Sequence, residues 1–186
     1  MKNILGISGS LRAASSSTAI LRAVLGCLSG GIKATTADIG TLPHYNADND
    51  GGSEVARLIE QIRQADGLIF VTPEYNYSIP GVLKNAIDWA SRPAYASVFK
   101  EKPCMVITVS AGALGGVRAQ AHLKYILNGM LAEVHSGQEI VIPHAPKRLI
   151  DGQFSDADTL GFISDQLEVF LRSSSRTSLL AKQVNG

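Results

Sequence analysis

Val71-Thr72-Pro73-Glu74-Tyr75-Asn76-Tyr77-Ser78-Ile79-Pro80-Gly81 follows directly on the apolar run Gly67-Leu68-Ile69-Phe70-Val71. The run has the length and composition of a buried strand. Two prolines, two tyrosines, an asparagine and a glutamate then crowd its carboxyl end. In open parallel α/β sheets, ligands bind in the crevice outside the carboxyl ends of the strands. Pro73 and Pro80 stiffen the segment and remove two amide donors. The amides and carbonyls between them are free to meet a planar polar heterocycle, and the tyrosines offer flat apolar surface.

Working outward, apolar runs and helical periodicities alternate. Asn3–Ile7 reads as a first strand, followed by a Ser/Gly loop and a helix from about Ser17 to Leu28 that Gly30-Gly31 ends. Ile32–Ile39 alternates as a second strand. A polar loop, Gly40–Gly52, leads to Ser53, which reads as the N-cap of a helix through Gln64 with Val55, Leu58, Ile59 and Ile62 on one face. Leu68–Thr72 is the third strand and Gly81–Ser91 a short helix. Pro103–Ser110 is a fourth strand, Ala111–Gly116 a glycine-rich loop and Val117–Leu131 a long helix. Glu139–Ile142 is a fifth strand, and a last helix runs from Ser155 to about Leu171.

Five apolar strands separated by helices predict an α/β fold with a five-stranded parallel sheet covered on both faces. The expected strand order is 2-1-3-4-5, with a ligand at the switch between strands one and three. The chain divides into one domain, 1–172, and a mobile tail, 173–186, which has little pattern.

The second notable loop follows strand one: Ser8-Gly9-Ser10-Leu11-Arg12-Ala13-Ala14-Ser15-Ser16-Ser17-Thr18. Six hydroxyl residues and one guanidinium surround a helix start. Unpaired amides and the dipole at a helix N-terminus attract anions, and hydroxyls and arginine add donors. An ordinary N-cap would need only one of those hydroxyls. The Gly-Lys-Ser/Thr ending of a P-loop is missing, as is the Gly-x-Gly-x-x-Gly dinucleotide turn. A monophosphate therefore fits this loop better than a pyrophosphate.

Composition narrows the function classes. The chain has 186 residues, 45% hydrophobic and 18% charged, with a net charge of +1. It carries no basic stripe of the kind nucleic acid requires and no run of the roughly 18 apolar residues that span a membrane. Its start, Met1-Lys2-Asn3-Ile4-Leu5, runs straight into a strand pattern without a signal-peptide layout, so a cytoplasmic location is expected. Cys27 and Cys104 read as buried thiols. His44, His122, His135 and His144 lack metal-ligand spacing, so no metal site is expected. Trp89 reads as a core residue, and Lys84 and Asp88 as a surface pair one helical turn apart.

These motifs resemble the NAD(P)H-dependent flavin mononucleotide reductases of flavodoxin-like fold, which include quinone, chromate and azo-dye reductases. The resemblance spans about residues 1–170. It rests most specifically on Pro73-Glu74-Tyr75-Asn76-Tyr77-Ser78-x-Pro80-Gly81-x-Leu83-Lys84-Asn85-x-x-Asp88-Trp89. Gly9-Ser10-Leu11-Arg12-x-x-Ser15 and Gly115-Gly116-x-Arg118-x-x-x-x-Leu123 add weaker support. One departure is Ser17, where many relatives carry Asn or Thr; it keeps a hydroxyl there.

The resemblance implies a three-layer flavodoxin-like sandwich that binds FMN and uses NAD(P)H as co-substrate. Ser10, Arg12, Ser15, Ser16 and Ser17 would hold the phosphate. Pro73, Glu74, Tyr75, Asn76 and Tyr77 would line the ring and ribityl chain, with Ser110 and Gly112 bordering the ring from the other side. The cofactor carries the chemistry, so no catalytic side chain is expected, and Glu74 is expected at solvent or a subunit contact. The expected reaction passes a hydride to bound FMN and on to a quinone, flavin, azo dye or chromate, in ping-pong fashion. The broad apolar face of Val117–Leu131 and the resemblance together imply a homodimer or homotetramer, with Arg118 and Glu139 as a candidate cross-subunit pair. The alternatives are a flavodoxin-type electron carrier, against which the near-neutral charge speaks, and a binding module without reductase activity.

Overall fold

The structure is a computed structural model. It describes residues 1–172 in full and the backbone alone of residues 173–184. The chain alternates β1 (Lys2–Ser8), α1 (Ser16–Gly26), β2 (Ile32–Ala37), α2 (Gly52–Gln64), β3 (Gly67–Pro73), α3 (Gly81–Ala90), β4 (Pro103–Val109) and α4 (Val117–Gly129). It continues through β5 (Glu133–Val134), β6 (Ile140–Ile142), a short 3₁₀ turn (Ala145–Arg148) and a hairpin of β7 (Leu149–Ile150) and β8 (Gln153–Phe154). It closes with α5 (Ala157–Val184).

The main sheet is parallel in the order β2-β1-β3-β4-β5, as the alternation predicts. Its fifth position departs from the expected single strand. Glu133–Val134 pairs with the start of β4, and Ile140–Ile142 pairs with its end, Ile107–Val109. Two residues are too few to show an alternating pattern, so β5 escapes a reading by period.

Side-chain alternation divides the core between two faces. Leu5, Ile7, Leu68, Phe70, Cys104 and Val106 point to the layer of α2, α3 and α4. Ile4, Ile69, Val71, Met105, Ile107 and Val109 point to α1 and α5. Both faces are covered, which is why the central strands read as unbroken apolar runs. Trp89 is buried, and its indole N–H donates to the Pro43 carbonyl at 2.8 Å. Lys84 and Asp88 form the expected pair at 2.7 Å. Cys104 is buried and free, and burial pushes its thiol up, away from the reactive thiolate. Cys27 is free and only partly buried.

Helix starts show where local chemistry outweighs the simplest reading. Ser15 caps α1, its hydroxyl accepting from Thr18 N at 3.4 Å. Ser53 is not the cap of α2. Asn49 and Asp50 accept the amides of Gly51 and Gly52, and Gly51, at φ 71°, makes the turn into the helix. Asp156, whose carboxylate accepts from Thr159 N at 3.0 Å, opens α5 in place of Ser155. The α5 backbone continues past Leu171 to Val184, where the sequence predicts a tail with little pattern; Asn185 and Gly186, the end of that tail, lie outside the described residues. No helix among the described residues is long and apolar enough to cross a membrane.

Register fixes where the site lies. Ser8 stands opposite Val71, and Pro73 opposite Val109. The loops after β1, β3 and β4 therefore leave the sheet at one height on its carboxyl edge.

Candidate functional site

The three loops enclose a cleft of about 330 Å³. One end is the start of α1. Ser10, Ser15 and Ser17 line it although each is nearly buried, and Ser15 Oγ lies 2.8 Å from Ser17 Oγ. Buried hydroxyls that face a cavity are suited to a polar ligand. No acidic residue stands in the first turn of α1, so the positive end of the dipole is not neutralised. Ser16 and the exposed Arg12 complete this end. Among the described residues, Arg12 has no ion-pair partner.

The other end is walled by Pro73, Glu74 and Tyr75 on one side and by Ser110 and Gly112 on the other. The Ser110–Gly112 turn is rigid. Ser110 Oγ accepts from Gly112 N and donates to Gly112 O, both at 3.0 Å. The chain after β6 braces it, with Ala145 N donating to Ser110 O at 2.9 Å and His144 N to Gly112 O at 3.1 Å. Ala145 and Pro146 join the wall, as do Val109 and Ala111. Sequence reading missed these four. The rule that found the other loops, position after a strand's carboxyl end, also applies to Ala145 and Pro146 after Ile142.

Asn76 and Tyr77 are expected site residues that do not line the cleft. Tyr75 and Ser78 pair across a two-residue turn, with N–H···O distances of 2.9 and 3.0 Å. Asn76 and Tyr77 sit at its tip with φ of 47° and 68°, the left-handed backbone that such tight turns require. The turn carries Tyr77 onto the Arg118 guanidinium, 4.2 Å from the ring centroid.

Glu74 is turned away from solvent. Its side chain is 10% exposed. The carboxylate accepts from Arg118 N at 3.1 Å and Ala119 N at 3.4 Å, and from Arg118 Nε at 2.7 Å. It thus caps α4, whose own N-cap, Gly116, offers no side chain. Ser78 Oγ adds a contact to His122 Nδ1 at 3.0 Å. The loop after β3 is clamped to α4 at three points. Within the chain Arg118 bonds Glu74, and Glu139 accepts from Lys124 at 2.9 Å.

Burial opposes ionisation of Glu74, but the bonds from Arg118 and Ala119 win and hold its carboxyl below the ordinary value of 4.5. A lowered folded-state pKa gives stability that is present above the ordinary value and is lost as pH falls through the lowered one. Glu74→Gln should therefore cost roughly 1–2 kcal/mol at neutral pH and flatten the acid limb of the stability profile. Urea unfolding at about pH 7 and about pH 4 checks this. An unchanged acid limb would mean that Glu74 is not the group that titrates.

A sequence profile described as NADPH-dependent FMN reductase matches residues 2–147. The chain is 43% identical over 171 residues to an NAD(P)H-dependent FMN reductase of Pseudomonas aeruginosa, covering 89% of this chain and 91% of that protein. It is 38% identical over 167 residues to a 2-hydroxy-1,4-benzoquinone reductase of a Burkholderia species, covering 88% and 91%. Its fold superposes with a TM-score of 0.85 on a flavoenzyme NAD(P)H:(acceptor) oxidoreductase of Paracoccus denitrificans, at 34% identity over 95% of this chain and 99% of that one.

Proposed function

Since the chain belongs to the NADPH-dependent FMN reductase family, we propose that it is a quinone reductase in which FMN lies in the cleft between the α1 start and the Ser110–Gly112 turn. The observation that carries this is one continuous cavity joining the hydroxyl-rich start of α1 to walls that include Pro73, Tyr75, Ser110 and Gly112 at the sheet's switch point. Bound FMN would accept a hydride from NAD(P)H and return two electrons to the acceptor, so that NAD(P)H, a proton and a quinone give NAD(P)⁺ and a hydroquinone.

The chain's own residues bind and orient. Ser10, Ser15, Ser16 and Ser17 would donate to the phosphate, and Arg12 would supply its counter-charge. Pro73, Glu74, Tyr75, Ser110 and Gly112 would flank the ring, Glu74 through the loop it anchors. Asn76 and Tyr77 would contribute through the tight turn that sets Tyr75. None of these side chains needs to act as acid, base or nucleophile. The functional unit is the domain 1–172, working in the cytoplasm as a homodimer or homotetramer. Flavins, azo dyes and chromate are further acceptors.

A ring resting on one wall of the cleft leaves one face for both donor and acceptor, so they alternate. Initial rates with NADPH and with NADH, at several fixed quinone concentrations, should give parallel double-reciprocal lines. Intersecting lines would replace the shared face with a ternary complex. A flavin left oxidised by both nucleotides would favour an electron carrier. Extracted cofactor should be FMN, since the hydroxyl-rich loop closes around a terminal phosphate.

A further inference from the structure

A second hollow of about 420 Å³ adjoins the cleft. The two share Ser10, Arg12 and Tyr75, so they meet along one edge of the phosphate loop. Beyond that edge the walls change character: they are Gly9, Leu11, Pro80, Gly81 and Val82. Leu11 is 59% exposed although it stands between a serine and an arginine in an otherwise polar loop. Its placement is fixed from behind. A Cβ on Gly40 would lie 3.0 Å from Leu11 Cδ2, so the loop after β2 backs the leucine closely. Pro80 is buried and has no N–H to offer, and Val82 in the first turn of α3 is half-buried. Tyr75, 44% exposed, forms the shared rim.

Resting on the reductase reading above, we propose that this hollow is the acceptor's specificity subsite and takes the apolar substituent of an alkyl-substituted quinone, whose reducible ring lies at the Tyr75 rim. An apolar pocket of this size fits a hydrocarbon group, and exposed apolar surface gains by being covered. The dinucleotide donor fits it poorly. Its pyrophosphate needs charged or hydroxyl side chains, and beyond Ser10, Arg12 and the Tyr75 rim, which border the cleft, the side chains along the hollow are those of Leu11, Pro80 and Val82. A small oxyanion such as chromate has no carbon to place there.

The test compares kcat/KM of the holoenzyme for unsubstituted benzoquinone and for decyl-substituted benzoquinone. The native enzyme should favour the decyl compound. Leu11→Ser should raise KM for the decyl quinone roughly five- to twentyfold, as expected for lost methylene contacts. KM for benzoquinone, KM for NAD(P)H and retention of FMN should stay within about twofold. Val82→Thr, which keeps volume and adds a hydroxyl, should act in the same direction and decides the matter if Leu11→Ser loses cofactor. Equal losses on both quinones would overturn the proposal. So would a raised KM for NAD(P)H, which would give the hollow to the donor. A native enzyme whose flavin NAD(P)H cannot reduce would instead overturn the reductase reading, and the subsite with it.

Discussion

Gly9→Ala is expected to destabilise the fold and to remove tight FMN binding. Gly9 directly follows β1, and its amide donates to the Val71 carbonyl at 2.9 Å. A Cβ added there would lie 2.1 Å from Thr72 Oγ1, 2.6 Å from Thr72 Cβ and 3.1 Å from Thr72 Cα. Thr72 is fully buried, with its hydroxyl donating to Pro73 O at 3.1 Å, so it has nowhere to turn. The methyl group can be admitted only if the end of β1 parts from β3. That moves Ser10 and Arg12 relative to Pro73 and Tyr75, the two ends of the cleft. Overpacking of this kind costs roughly 1–3 kcal/mol in stability. The loss in FMN affinity should reach about a hundredfold or more, equivalent to ~3 kcal/mol.

Two controls isolate the cause. Thr72→Gly in the same chain removes both nearest atoms, so the double variant should be less damaged than the sum of the singles. Gly26→Ala, in α1 with nothing within 4 Å of an added Cβ, should be neutral or slightly stabilising. Thermal unfolding and FMN titration measure all three. Full FMN affinity in Gly9→Ala would show that β1 and β3 tolerate separation at this edge, and the close approach would lose its role.

Arg12→Ala should weaken FMN binding about ten- to hundredfold, because a charge-assisted hydrogen bond is worth roughly 1.5–3 kcal/mol. The fold should be unaffected, within about 0.5 kcal/mol, since the side chain is exposed. Arg12→Lys should recover only part of the loss, because an ammonium lacks the planar fork that grips two phosphate oxygens. The weakening should also shrink with added salt, as an exposed charge is screened. An unchanged dissociation constant in Arg12→Ala would leave the phosphate to the serine hydroxyls and the α1 amides alone.

The sequence by itself determined the layered parallel sheet and its strand order. Both follow from local pattern: unbroken apolar runs such as Leu68–Val71 mark strands buried on both faces, and the strands alternate with helical periods. It also located most of the cleft, because a position after a strand's carboxyl end is a local fact once the strand is recognised. The hydroxyl-rich start of α1 was legible for the same reason, since cap chemistry lies within a few residues of the helix it serves.

Only the tertiary structure decided what depends on distant segments meeting. Glu74 and Arg118 lie 44 positions apart, and no local pattern says that one caps the helix the other begins. Tyr77 belongs to the motif yet does not line the cleft: the Tyr75–Ser78 turn puts it at the tip, and the distant start of α4 brings Arg118 onto its ring. Ala145 and Pro146 enter the wall only because β6 aligns with the upper half of β4. Gly9 matters through a single contact with Thr72 across two strands. Backbone period and capping are written into neighbouring residues. Close approach, clamping and cavity shape arise only when the sheet's register brings remote loops to one edge.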